Sequence, residues 1–137
     1  MISTDRKRLD VEMVHRFLSE ESYWAAGIPL DVVQRSIEHA LCFGVHKDDR
    51  QVGFARVVTD YSTFAYIGDV FVLAEFRGQG LSKWMMSVIR EHPDLQGLRR
   101  WMLATADAHG LYRQFGFTDL IDAERWMEIR DRDVYKR

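Results

Sequence analysis

The chain predicts a mixed α/β fold, one central mixed sheet with helices on both faces, and three observations carry that reading. Apolar residues recur at helical spacing in two early segments and one central one. Two apolar segments before residue 60 are joined by a four-residue polar turn, the pattern of an antiparallel hairpin. Later, a buried strand, a helix and a second apolar strand follow in order, which is a parallel crossover. At 137 residues, one domain is the expectation. The chain is 47% hydrophobic and 29% charged, enough for a packed core under a solvated surface.

A formal net charge of −2 gives no electrostatic case for nucleic acid or an anionic membrane as partner. The single cysteine, Cys42, rules out an intrachain disulfide, and no Cys/His spacing suggests a metal site. Residues 1–8 hold no apolar run fit for export, and no segment approaches the length of a membrane span. A cytoplasmic location is the expectation by elimination.

Taken in order, Ile2 to Asp5 suits a short edge strand. Leu9 to Glu20 reads as a helix with Val11, Val14 and Leu18 on one face and Asp10 near its start. Residues 21–28 break the period and contain a glycine. Pro29 then suits a first helical position, and Asp31 the positive end of the helix dipole. Leu30, Val33, Ile37 and Leu41 line this second helix. Cys42 to His46 and Gln51 to Val58 read as strands around the turn 47–50. Thr59 to Thr63 makes the next turn, and Phe64 to Leu73 the central strand. The central helix runs from Gly78 to Glu91, with Leu81, Trp84, Met85, Val88 and Ile89 on its apolar face. His92-Pro93 stops it, since the residue before proline avoids the helical region. Arg100 to Thr105 is a further strand and Ala108 to Gln114 a short helix. Phe115 to Thr118 turns into a strand. Arg125 to Arg130 alternates apolar and polar, as a half-buried last strand does. Asp131 to Arg137 is a charged tail.

The stretch Asp69 to Met86 stands out. An almost unbroken apolar strand meets Arg77, Gly78, Gln79 and Gly80, and a helix begins at Leu81. Glycines let backbone approach a ligand closely, and the free N–H groups of a helix start favour an anion, above all a phosphate. An ordinary strand-to-helix turn has the same glycines, so this stretch alone does not decide between the two. Asp69 is an acid inside an apolar run and calls for a partner or a task.

Arg77-Gly78-Gln79-Gly80-Leu81-Ser82 matches a Gln/Arg-x-x-Gly-x-Gly/Ala motif, with Ser82 in place of the final Gly or Ala. Further on, Ala108 to Gln114 is a short helix bearing Tyr112, followed by the turn Phe115-Gly116-Phe117. Together and in this order, the two motifs resemble the GNAT N-acetyltransferase superfamily. The resemblance spans nearly the whole chain. It implies a single N-acetyltransferase domain over residues 1–137, with a mostly antiparallel sheet, helices on both faces and a splayed parallel strand pair. Ala74 and Thr105 depart from the family pattern, where a proline and a cofactor-touching asparagine are common.

The rest is what the resemblance implies. Acetyl-CoA, with no metal, lies between the strands ending near Leu73 and Thr105. Its pantetheine arm bonds to main chain at Phe71 and Val72. The pyrophosphate meets amides from Gly78, Gln79, Gly80, Leu81 and Ser82, with Arg77 adding charge and Thr105 near the arm. A primary amine, on a small molecule, peptide or protein, attacks the thioester directly, and an amide near Phe71 or Val72 stabilises the oxyanion. Tyr112 is the candidate general acid for the departing thiolate; the alternative is packing against the cofactor. Asp69 is the candidate base; the alternative is a structural hydrogen bond or an arginine pairing. Tyr23, Trp24, Tyr61 and Phe64 are candidates to grip the acceptor, or are packing aromatics. Lys83 and His109 read as surface residues, and Cys42 as a buried, inert thiol. Family members are often homodimers, although no motif fixes an interface. A non-catalytic acyl-CoA sensor is the competing class; a P-loop nucleotide binder is excluded by the missing Gly-x-x-x-x-Gly-Lys motif.

Overall fold

A computed structural model describes residues 1–136. The chain forms, in order, β1 (Ile2–Ser3), α1 (Val11–Glu20), α2 (Leu30–Glu38), β2 (Leu41–Lys47), β3 (Arg50–Thr59), β4 (Phe64–Val72), α3 (Leu81–Glu91), β5 (Arg100–Leu103) and α4 (His109–Arg113). The five strands make one mixed sheet in chain order. β1 to β4 pair antiparallel, and β4 pairs with β5 in parallel. No helix among the described residues is long and apolar enough to cross a membrane.

Strand alternation sends side chains to two faces, and each face has its own core. On one, Phe43, Val45, Val57 and Ile67 meet Met85, Met86 and Ile89 of α3. On the other, Cys42, Phe54 and Phe71 meet Val14, Phe17 and Leu18 of α1 and Val33 and Ile37 of α2. The Phe17 and Phe71 rings stack with centroids 3.9 Å apart, fixing α1 over the C-terminal half of β4. Asp10 caps α1 by accepting from the Met13 amide at 3.1 Å.

Four expectations need correction. Trp84 is exposed and Met86 takes its place in the core. At about 100° per residue, Leu81, Met85, Met86 and Ile89 centre on a direction that Trp84 misses. On α2, Leu30 is exposed, and Leu41 already belongs to β2. The strand expected after Phe115 does not form. Nor does the last strand at 125–130; one 3₁₀ turn, Ala123–Arg125, precedes residues without regular secondary structure there. Alternation specifies a face but not a neighbour, and a strand without a partner is not stable. Among the described residues, nothing pairs with the outer edge of β5.

Candidate active site

The site is built where β4 and β5 part. Their register runs from Phe64↔Arg100 to Ile67↔Leu103 and stops. β4 continues to Val72 with β3 beside it but, among the described residues, no strand on its other side. The β3–β4 register pairs Arg56 with Gly68 and Phe54 with Phe71, so Asp69 and Val70 share Ala55 as their one opposite number. Two residues against one is a β-bulge, and Asp69 carries it at a φ of 54°. Leu73 donates its amide to Val52 at 2.9 Å, on the β3 side. Val72 faces the gap instead, and its carbonyl accepts from Arg77 Nε at 3.0 Å.

The chain then makes one 3₁₀ turn, Ala74–Phe76, and reaches α3 through Gly78 and Gly80, both at φ 77°. Among the described residues, no atom beyond each glycine and its two chain neighbours lies within 4 Å of where a Cβ would sit. Their backbone conformation, not crowding, requires glycine, and the space above them stays open to a ligand. The first helical bond runs from the Trp84 amide to the Gly80 carbonyl at 3.0 Å, and no side chain caps the helix. Among the described residues, the amides of Leu81, Ser82 and Lys83 therefore lead the helix without a protein acceptor. A cavity of about 230 Å³ opens above them, lined by Val72, Arg77, Gly78, Ser82 and Leu111 among others.

The β2–β3 hairpin adds two cations that sequence reading missed. Lys47 Nζ and the Arg50 guanidinium lie 5.8 Å and 5.3 Å from the centre of the Phe76 ring. Lys47 also donates to the Gln79 side chain, and Arg50 pairs with Glu75 at 3.4 Å. Gln79 is thus held by the hairpin. Only the strand register brings this turn beside the glycines; nothing local in residues 47–50 signals it.

Tyr112 is 8% exposed on α4, edge-on to Phe117 at 6.0 Å. Burial raises its pKa above the ordinary value, with the nearby Tyr23 and Asp107 adding to the shift. Asp69 has both oxygens engaged. Arg56 Nε donates to Oδ2 at 2.8 Å, and Trp24 Nε1 donates to Oδ1 at 2.9 Å. Of the two roles the sequence left open for Asp69, these contacts supply the arginine pairing. Thr105 Oγ1 accepts from the Ala108 amide at 3.1 Å, which braces the start of α4.

Tyr23 and Trp24 form a strap over the parted strands. Trp24 is tied to Asp69 on β4, while the Tyr23 hydroxyl accepts from the Ala106 amide, just past β5, at 3.2 Å. Tyr61 and Phe64 are not brought to this place. They stand at the far end of β4, with Phe64 five residues before Asp69, roughly 16 Å away along the strand. The structure thus does not bring these two beside Tyr23 and Trp24. Cys42 is buried, and its thiol pKa is pushed up to about 11 by that burial.

Comparison with known proteins places this geometry. The model of the GNAT acetyltransferase domain matches residues 38–119, from the end of α2 through Asp119. A GNAT-family protein of Xanthomonas campestris pv. campestris has a crystal structure with a TM-score of 0.98 to this chain. It is 54% identical, and the match covers 100% of this chain and 96% of that one. The thialysine N-epsilon-acetyltransferase of Sus scrofa is 32% identical over 87 residues, which cover 58% of this chain and 51% of the relative. The chain thus spans about half of that enzyme. A Clostridium acetobutylicum protein crystallised with acetyl-CoA shares the fold, with a TM-score of 0.66 and 16% identity over 95% of this chain and 96% of that one.

Proposed function

Because the chain belongs to the GNAT acetyltransferase family, we propose that it moves an acetyl group from acetyl-CoA to a primary amine. The observation that carries this reading is the continuous path from the parted β4 edge, through Gly78 and Gly80, to the uncapped start of α3. Main chain on the open side of β4 suits an extended amide-bearing arm, which would dock as an added strand. The amides of Leu81, Ser82 and Lys83 suit a diphosphate. Arg77, Lys47 and Arg50 supply positive charge around it.

Acetyl-CoA supplies the activated thioester carbon; the chain's own residues do the rest. Past Ile67 the outer side of β4 has no partner strand, and a backbone N–H on that side would hold the developing oxyanion. Tyr112 keeps its phenol protonated at neutral pH and gives that proton to the thiolate as the sulfur leaves. Asp69 acts as a positioning residue: it holds Trp24, and through it the strap under which the amine enters. The amine's proton then leaves by water. The likeness to a thialysine N-epsilon-acetyltransferase over about half of that enzyme supports a primary amine of the thialysine kind as the acceptor to try first.

The test is thiol release from acetyl-CoA across a panel of amines headed by thialysine and lysine. Release that depends on the amine supports the reaction and names the acceptor. Tight acetyl-CoA binding with no release from any amine overturns it in favour of an acyl-CoA sensor.

A further inference from the structure

The turn that follows β5 carries a charge the fold does not use. It is pinned from two sides: the Ala106 amide donates to the Tyr23 hydroxyl at 3.2 Å, and the Ala108 amide to Thr105 Oγ1 at 3.1 Å. Asp107 stands between these two anchors and is exposed. An acid at this point would ordinarily cap the helix that follows. Here the N-cap of α4 is Ala108, and no side chain caps the helix. Among the described residues, the Asp107 carboxylate has no hydrogen bond and no ion pair.

Its charge nevertheless acts on the site. Asp107 is one of the groups that raise the Tyr112 phenol, which puts the carboxylate within electrostatic reach of that hydroxyl. The neighbouring acids are committed. Asp69 is held by Arg56 and Trp24, and Glu75 by Arg50. Arg77 and Lys83 line the cavity over the start of α3. The gap is thus sorted by charge. Cations stand where a diphosphate would lie, and an uncommitted carboxylate stands beside Tyr112, where the thioester would be attacked.

An acceptor amine of the lysine kind arrives as an ammonium ion at neutral pH. We propose that Asp107 is an acceptor-binding residue, which holds this ammonium beside Tyr112 under the Tyr23–Trp24 strap. The ammonium then gives its proton to water, which frees the nitrogen lone pair to attack the thioester carbon. A terminal amine on an uncharged arm suits this site. An α-amino group does not, because its own carboxylate meets Asp107 with like charge. The proposal rests on the acetyl-transfer reading for the identity of its ligand.

The experiment measures binding apart from turnover. Calorimetry titrates thialysine into the full chain saturated with CoA, which cannot transfer an acetyl group. S-ethylcysteine, the same molecule without its terminal ammonium, is the control. The wild type should prefer thialysine. Asp107→Asn should weaken thialysine roughly five-fold, the scale of an exposed ion pair, and leave S-ethylcysteine and acetyl-CoA affinities unchanged. Asp107→Glu keeps the charge and should keep the preference. The side chain has no partner in the fold, so neither substitution removes a contact. Equal thialysine affinity in the wild type and Asp107→Asn overturns the proposal. So does a wild type that binds both ligands alike. Thiol release from acetyl-CoA, followed in the same variants, separates this outcome from the reaction itself. Binding that depends on Asp107, with no release from any amine, keeps the ammonium site and overturns the acetyl-transfer reading. Release whose KM for the amine is unchanged by Asp107→Asn does the reverse.

Discussion

Burial raises the Tyr112 phenol above its ordinary pKa of 10.0, so the side chain carries its proton throughout the physiological range. An alkyl thiol titrates near 8.5, so even from a free phenol the transfer to thiolate is uphill by roughly 1.5 units, about 2 kcal/mol, and the burial of Tyr112 adds to that. That is small beside a chemical barrier. Tyr112→Phe should slow turnover by roughly 10²-fold and leave acetyl-CoA affinity nearly unchanged, as read by thiol release and calorimetry. Ionisation of Tyr112 removes the acid only above its raised pKa. The wild-type kcat/KM profile should therefore show no alkaline loss from this group below about pH 10. Asp69 presents the opposite case, a carboxylate whose partners are both in place. Asp69→Asn keeps an acceptor for Trp24 and tolerates the left-handed backbone, but leaves Arg56 without its counter-charge. Urea unfolding should show a loss of about 1–2 kcal/mol. The oddity of an acid in an apolar run was visible in the sequence. Its partners were not, because Arg56 lies 13 positions away and Trp24 lies 45.

The β4–turn–α3 unit was legible because its signals are local. A β-branched apolar run, two glycines and a change of period lie within about twenty residues, and each has one physical meaning. Gly80→Glu tests the unit as an element. The left-handed conformation at Gly80 costs a β-carbon-bearing residue about 1–2 kcal/mol, so the fold survives. The new carboxylate sits where the open space above the glycine meets the helix start, and acetyl-CoA binding should be abolished in calorimetry while the circular dichroism spectrum persists. The bulge in β4 was not legible, since inserting one residue leaves composition unchanged and shows only in the register with β3. The segment 125–130 reads as a strand for sound reasons, yet a strand is a property of two segments. Periodicity at one of them cannot supply the other.

On the scale of the whole chain, the two cores clamp the sheet from both sides and leave its β4–β5 end parted, so the fold is rigid around a gap. A ligand that fills that gap binds only the folded chain. Acetyl-CoA at one hundred times its dissociation constant should then add about 2.7 kcal/mol to the unfolding free energy, with free adenosine adding far less, as measured by chemical denaturation with and without each. Element order and helix placement were readable from patterning, because two-faced burial forces alternation in the strands and one-sided stripes in the helices. The meeting of Lys47 and Arg50 with the glycine turn was not, because it depends on how far the hairpin reaches along the sheet. Arg77 ties this architecture to timing. Its guanidinium already occupies the Val72 carbonyl that an arriving pantetheine chain would claim. On the proposed reading, loading is a swap in which the Arg77 contact is released as the arm takes that carbonyl. The observed filling rate should climb with ligand concentration and then level off, the plateau marking how often that arginine lets go.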